Sequence, residues 1–322
     1  MEIEIYSDET FINEKYMGIG CLFVPIHKKQ EIAKYLSNLR CLNPKSHYWT
    51  WNFRDCPIKC REEYHKNNNC EIHHAKISKK ASHPRRTISK KWIEFLIQNN
   101  KNNKELIYFN ILYIDKSKLD DKFFGDKTID DNVYNRFYRS SIKYTKFFFG
   151  NRVIIKNIFH DNSDNKEKHE YFPWHTSHRL NIDKTKIKVE NNIQFLDSDH
   201  KIYFSNDKSS YVFESQFIQF IDLILGVTSQ ILFSSSNDSA KSEIACIVYP
   251  LIERLMKKPE NINSSYNYFK KQNISIFPKD EINYSKTLDE KIQREFGQFH
   301  RNIKFKKPDI ISDSESLDKW FS

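Results

Sequence analysis

The chain has 322 residues, a formal net charge of +10, a pI near 9.1 and a mean hydropathy of −0.72. With 25 Phe, 17 Tyr and 5 Trp it can fill the core of one large domain with insertions, or of two domains. It opens on a charged, alternating segment and shows no apolar run of bilayer length, which argues against a secretory signal and a membrane span and predicts a cytoplasmic protein with its six cysteines reduced.

Ile3 and Ile5 alternate with Glu2 and Glu4, the period-two pattern of a strand, and that strand is expected to end on Asp8 and Glu9. Residues 16–25 (YMGIGCLFVP) read as a second strand, and the spacing of Ile32, Tyr35, Leu36 and Leu39 predicts a helix over 30–39. Residues 41–70, rich in Cys, Trp, His and Lys, read as an irregular insertion. A short strand is expected over 71–77 and a helix over 88–98, with Ile88, Trp92, Phe95 and Leu96 on one side. Residues 106–114 (LIYFNILYI) give the strongest strand signal. An aromatic amphipathic helix follows over 132–149, then a strand over 153–160 that runs into Asp161. A further strand is expected over 187–196 and a long helix over 211–233. Strands first, then strands alternating with helices, predict an α/β domain over 1–235 with a mixed sheet flanked by helices. Helices over 243–256 and 288–299, joined by a polar segment and followed by an acidic end over 312–318, predict a separate helical extension over 236–322.

Four places offer carboxylates at informative positions: Asp8 with Glu9, Glu71 in Glu-Ile-His-His, Asp161 after its apolar strand, and Asp222 within a nearly apolar helix. Oxygen ligands held on rigid elements suit hard divalent ions such as Mg2+ or Mn2+. A turn at Asp8-Glu9 and a helix cap at Asp161 or Ser163 are the local alternatives. Asp222 is the sharpest signal, because an unpaired carboxylate in an apolar helix is costly. Ser215, Gln219, Asp222, Gly226 and Ser229 recur at steps of four, three, four and three, so they form one small, polar helix face.

The order of these motifs resembles a prokaryotic family, the domain of unknown function numbered thirty-eight hundred, which has a ribonuclease H-like fold. The likeness covers roughly residues 1–235: Tyr-Ser-Asp-Glu on the first strand, Glu-Ile-His, the helix containing YNRFYRSSIKY, a strand ending in Asp, and a late Gln-x-x-Asp-Leu-x-x-Gly. Thr10 stands where the family's Asp-Glu-Ser motif has Ser. The resemblance implies a catalytic and metal-binding set of Asp8, Glu71, Asp161 and Asp222, with Glu9 as a further ligand. It implies that His73 lies beside them and that Ser7 and Gln219 support them; with a reference pKa near neutrality His73 is a candidate proton shuttle, the alternative being a strand cap. It also implies a prokaryotic defence or mobile-element setting, in which a protein partner encoded nearby is expected.

A softer site competes for the same region: Cys56, Cys60, Cys70 and His73 could hold structural Zn2+, with His47, His65 and His74 as further candidates. The net positive charge fits a nucleic-acid partner, and Lys79, Lys80, Arg85, Arg86, Lys90 and Lys91 form the leading basic cluster. A second surrounds Phe305, at Lys304, Lys306 and Lys307, and Trp49, Trp51 and Trp174 are candidate base-stacking rings. Together these readings predict a metal-dependent nuclease acting on RNA or DNA by a two-ion mechanism. The alternatives are a non-catalytic nucleic-acid- or partner-binding protein on the same fold and a zinc-organised interaction module.

Overall fold

The computed structural model describes residues 1–101, 107–119, 129–162, 172–182, 187–204, 211–256 and 271–278. The helix expected over 288–299, the basic cluster at 304–307, the acidic end over 312–318 and the Ser163 cap lie outside these residues. Strands β1 (Glu2–Ile12) and β2 (Tyr16–Pro25) form an antiparallel hairpin, its turn made by Asn13 and Glu14 with φ of 49° and 57°. Strand β3 (Tyr108–Asp115) extends the meander antiparallel to β2. On the other side of β1 lies the parallel strand β4 (Ile154–Asp161), which also carries β5 (Lys188–Val189) and β6 (Ile193–Leu196) in parallel. Strand β7 (Gln272–Phe277) joins the far edge, parallel to β3. The order is β5-β4-β1-β2-β3-β7, with β6 also on β4.

The helices are α1 (Ile26–Asn38), α2 (Glu62–Asn68), α3 (Pro84–Lys101), α4 (Ile129–Ile142), α5 (Tyr144–Phe149), α6 (Phe172–Ile182), α7 (Val212–Phe233) and α8 (Ser239–Met256). Because β1 is central, both its faces are buried, and its alternation splits them cleanly. Ile3 and Ile5 join the core under α4 and α6, with Tyr134, Tyr138 and Phe172. Tyr6 joins the opposite core, with α3, α7 and α8. Helix α7 lies close on the sheet at Gly20, where a Cβ would stand 3.1 Å from Ile221 Cγ1 and 3.4 Å from Leu225 Cβ.

Several expectations need correction. Strand β1 does not end at Asp8 and Glu9: β2 pairs with it along its whole length, Asp8 opposite Gly20 and Ile12 opposite Tyr16. Residues 71–77 form no strand. The Ile72 and His74 N–H groups bond to side chains of α7 instead of a neighbouring strand, and a single 3-10 turn follows at His74–Lys76. The helix expected over 132–149 breaks at Lys143 into α4 and α5, and the strand over 187–196 divides into β5 and β6. Ser239–Met256 and Gln272–Phe277 do not stand apart from the sheet domain: α8 packs into the α7 core, and β7 is a strand of the sheet itself. Finally, α7 is long and apolar enough to cross a membrane, with hydropathy 1.4, contrary to the reading of the sequence. Yet 83% of its most apolar window is buried inside the fold, so its apolar character is that of a core helix.

At one end of β1 a buried charge network holds α1 and α7 to the sheet. Lys29 Nζ lies 2.7 Å from Glu4 Oε2 and 2.6 Å from Glu214 Oε1. The Tyr6 hydroxyl donates to Glu4 Oε2 at 2.6 Å, and Asn157 Nδ2 donates to Glu4 Oε1 at 2.8 Å. Burial pushes the Glu4 carboxyl up, but Lys29 and Tyr6 outweigh it and hold the group below its ordinary range. Lys29→Met should leave two buried carboxylates without a cation and cost about 3 kcal/mol, read as a lower urea midpoint. Lys29→Arg should retain most of the stability. A methionine variant as stable as the wild type would show that this network does not hold α1 and α7 to the sheet.

Candidate metal centre

Strands β1 and β4 run parallel with Tyr6 opposite Phe159 and Ser7 opposite His160, so the next step sets Asp8 beside Asp161. Tyr6 and Phe159 stack at 5.3 Å beneath α7, where Phe217 lies 4.7 Å from Tyr6. Two residues further along each strand, Asp8 and Asp161 therefore face α7 as well. On α7, Asp222 follows Glu214 by eight residues, about 12 Å of helix. On β1, Asp8 follows Glu4 by four, about 13 Å of strand. The two elements thus run side by side. Their acidic pair at one end is bridged by Lys29, and at the other end Asp222 lies within electrostatic reach of Asp8 and Asp161, although the three do not form a group with ligand atoms all within 4.8 Å of one another.

The electrostatics differ sharply between the two ends. Burial pushes the Asp8 carboxyl well above its ordinary range, and the charges of Asp222, Asp161 and Glu9 push it the same way. Burial, then Asp222 and Glu9, push Asp161 up to about 7. Asp222 is the member that stays ionised: burial opposes this, but His73 and the His74 N–H outweigh it. Among the described residues no lysine or arginine is salt-bridged to Asp8, Asp161 or Asp222. His73 is the cationic partner, its Nδ1 3.2 Å from Asp222 Oδ2, and that contact raises its pKa above the usual value. The same Nδ1 lies 3.2 Å from the Ala75 N–H. Protonated, it donates to Asp222; deprotonated, it accepts from Ala75.

The polar face of α7 explains how the Glu-Ile-His-His segment reaches this place. Gln219 Oε1 accepts the Ile72 N–H at 2.9 Å and Asp222 Oδ2 accepts the His74 N–H at 2.6 Å. One turn on, Gly226 leaves room for the His74 ring: a Cβ there would stand 2.1 Å from His74 Cγ. Ser215 and Ser229 complete the face, donating to the Asp197 carbonyl at 2.9 Å and pairing with the Tyr113 hydroxyl at 2.9 Å.

Other expected members lie elsewhere. Glu71 is adjacent through His73, but its carboxylate is engaged by Lys76 at 2.6 Å and Ser198 at 3.0 Å. Burial raises its pKa, and these partners outweigh that to leave it low. Glu9, next to Asp8 in sequence, is thrown by the pleat to the opposite face, 3.2 Å from His160 Nε2. Ser7 also faces that side, 2.7 Å from the Tyr138 hydroxyl, so it does not support the carboxylates directly. The four-residue zinc set is not assembled. Cys70 gives its carbonyl to Arg40 and His73 faces Asp222, whereas Cys56 and Cys60 gather with His65 into a group able to hold a metal ion.

The basic cluster is largely internal. Arg85 donates to the carbonyls of Glu71 at 2.8 Å and Lys76 at 3.2 Å, Arg86 and Lys90 both grip Glu243, and Lys91 donates to the Cys41 carbonyl at 3.4 Å. Lys79 and Lys80 are the exposed members. Trp49 stacks on His65 and Trp51 packs on His200 and Phe204, whereas Trp174 is exposed. Sequence reading missed Arg40, Ser198 and His200, which tie Gln219 and Glu71 in place; nothing in their local sequence marks them. No family model matches the chain, and comparison with curated proteins and with solved structures finds no match.

A carboxyl whose folded pKa exceeds its unfolded value favours the fold below the unfolded pKa and loses that contribution as pH rises through the folded one. For Asp161 the window runs from its ordinary value of 3.8 to about 7. Metal-free wild-type protein should therefore lose stability relative to Asp161→Asn as pH climbs through that window. Thermal melts of the two proteins across it, with and without Mn2+, test this: bound ion should stabilise wild type over the variant and offset its loss at high pH, and a metal-free difference independent of pH would contradict the raised value. Gly226→Ala should drive the His74 ring off α7, cost about 1–3 kcal/mol by overpacking, and weaken Mn2+ binding in calorimetry. An alanine variant that melts and binds as wild type would show that this close approach is dispensable.

Proposed function

We propose that the chain is a divalent-metal-dependent nuclease whose centre is Asp8, Asp161 and Asp222, with Mg2+ or Mn2+ as its ion. One observation carries the reading. Along one face of β1, Glu4 is buried with Lys29 beside it, whereas Asp8 is buried against two further carboxylates. Such a cluster of hard oxygen donors fits a divalent ion, and perturbed carboxylates of this kind concentrate at functional sites. Asp8, Asp161 and Asp222 would hold the ion, which when bound supplies charge neutralisation at a phosphodiester undergoing in-line displacement.

The chain's own groups have separate tasks. Asp222 fixes the His74 backbone and orients His73. His73, with a partner for each protonation state of Nδ1, carries a proton at the edge of the carboxylates. Glu71, pinned by Lys76, braces His73 and stands outside the carboxylate centre. Exposed Lys79 and Lys80, near Glu71, offer charge to a nucleic-acid backbone. The meander β1–β2–β3, with parallel β4 on the opposite side of β1, supports a ribonuclease H-like fold. The cytoplasmic, prokaryotic-defence setting belongs to this proposal through the family resemblance alone.

The engagement of Glu71 by Lys76 leaves three carboxylates where the sequence offered four, and this favours a second reading: a metal-binding protein that holds RNA, DNA or a partner without cutting. Labelled single- and double-stranded RNA and DNA incubated with Mn2+, Mg2+ or EDTA separate the two. Cleavage that requires the ion and is abolished by Asp8→Asn and by Asp222→Asn is expected. Ion binding without cleavage of any substrate would select the non-catalytic reading, and absence of ion binding would remove both.

A further inference from the structure

The inserted segment 41–70 closes on itself before it reaches the carboxylate centre. Arg40 Nη1 donates to the Cys70 carbonyl at 2.7 Å, and Asn68 returns a bond to the Arg40 carbonyl at 2.9 Å, so the ends of the insertion are pinned together. Between them lie the sulfur atoms of Cys41, Cys56 and Cys60. Cys41 and Cys56 are buried and Cys60 is half-buried; none is in a disulfide.

One ligand atom from each of Cys56, Cys60 and His65 lies within 4.8 Å of the other two. In a tetrahedral site with Zn–S of about 2.3 Å, ligand atoms stand about 3.7 Å apart, so the three need close by only about 1 Å. The imidazole is already oriented. His65 is 5% exposed, and its Nδ1, 3.1 Å from the Thr50 carbonyl, must carry the proton. That leaves the lone pair on Nε2, which is buried and makes no hydrogen bond among the described residues. A carbonyl that fixes the tautomer while the other nitrogen is left unpaired is the usual support of a metal-ligating histidine. The ring is also stacked on Trp49 at 4.7 Å.

The sulfurs are arranged to match. Backbone N–H groups of Cys60, Ile58 and Lys59 point at the Cys56 sulfur, in a turn where Lys59 takes a left-handed φ of 47°. Asn43 Nδ2 reaches the Cys60 sulfur at 3.6 Å. Cys41 stands outside this three-residue group, its sulfur 3.8 Å from the Tyr64 hydroxyl, and is the nearby thiol that would have to move in to complete a tetrahedral set.

We propose that Cys41, Cys56, Cys60 and His65 form a structural zinc site that organises the 41–70 insertion, separate from the carboxylate centre. The site uses soft ligands, whereas the carboxylates offer only oxygen, so two different ions are sorted by ligand type. Closing on zinc would lock Trp49 and the turn around Cys56 into a base for the Arg40–Cys70 clasp, from which the Glu71–His74 segment departs.

The full chain, purified under reductant and reconstituted with Zn2+, tests this by elemental analysis and by Co2+ substitution, since zinc itself is spectroscopically silent. One zinc per chain is expected, together with a cobalt spectrum showing tetrahedral d–d bands and thiolate charge transfer. Cys56→Ser and Cys60→Ser should abolish stoichiometric binding. Cys41→Ser should weaken it by about 100-fold and lower the charge-transfer intensity, while Cys246→Ser should change nothing. His65→Cys should keep the metal and raise that intensity, whereas His65→Ala should not. If the serine variants fail to fold, the zinc content and cobalt spectrum of the wild type still decide. Substoichiometric zinc after reconstitution, an octahedral cobalt spectrum, or a Cys56–Cys60 disulfide persisting in reductant would each overturn the site. A spectrum unchanged in Cys41→Ser would overturn its place as the fourth ligand. None of these readouts depends on nuclease activity.

Discussion

A single primary amide, that of Gln219, is the joint on which the centre hangs. Its oxygen accepts from Arg40 Nη2 and from the Ile72 N–H, both at 2.9 Å, and its nitrogen donates to the Ser198 carbonyl at 2.5 Å and to His200 Nδ1 at 2.9 Å. All of its hydrogen-bonding capacity is used. Because His200 accepts at Nδ1, its other nitrogen donates, and it does so to Asn69 at 2.6 Å. Burial holds that imidazole well below its ordinary pKa, which keeps it neutral and preserves the tautomer. One buried side chain thereby fixes the helix, the end of the insertion, the Glu-Ile-His-His segment and the loop after β6. A buried amide bonded on every side tolerates no change of partner, since any group left over would be desolvated and unpaired.

The carboxylates are the opposite case, an arrangement that opposes stability. Three acids set near one another by β1, β4 and α7 repel one another: burial and this repulsion raise the pKa of Asp8 and Asp161, while the third, Asp222, leans on His73. The Glu4 end of the same two elements shows what a purely structural solution looks like: a lysine between the acids, a tyrosine and an asparagine on the remaining lone pairs. The contrast lies within one strand and one helix, and the deeper burial of the Asp8 carboxyl sharpens it. Retaining an unneutralised cluster where a lysine would fit is the trade of stability for function seen at many active sites.

Much of the sheet was legible in the chain because period-two patterning is local: β1 through β4 and α7 fall where alternation and helical spacing place them. Asp222 stood out as a carboxylate in an apolar helix, whereas Asp8 and Asp161 stood out only by their expected places at the ends of strands. Three kinds of information were not local. Adjacency in sequence hid the opposite facing of Asp8 and Glu9, which the pleat decides. The basic cluster around Arg85 and Arg86 read as surface, but its partners, the Glu71 carbonyl and Glu243, come from elsewhere in the chain. Residues 71–77 carried a strand-like pattern, yet the Ile72 and His74 N–H groups go to helix side chains and a 3-10 turn follows, which no periodicity reveals. The sulfur group was similarly misassigned to Cys70 and His73 by spacing alone, when the fold of the insertion selects His65.

The position of β7 has a consequence for how the chain is made. Asn273 bonds to Asn110 across 163 positions of sequence, and β7 is the strand that covers the outer edge of β3. On a ribosome adding roughly 5–20 residues per second, β3 emerges on the order of ten seconds before its partner. During that interval its edge presents an unpaired row of N–H and C=O groups flanked by Phe109, Ile111 and Tyr113, the kind of edge that recruits a strand from another chain. The nascent protein is therefore most exposed to mispairing late in synthesis, when most of the carboxylate centre has already emerged and the sheet still lacks its last strand.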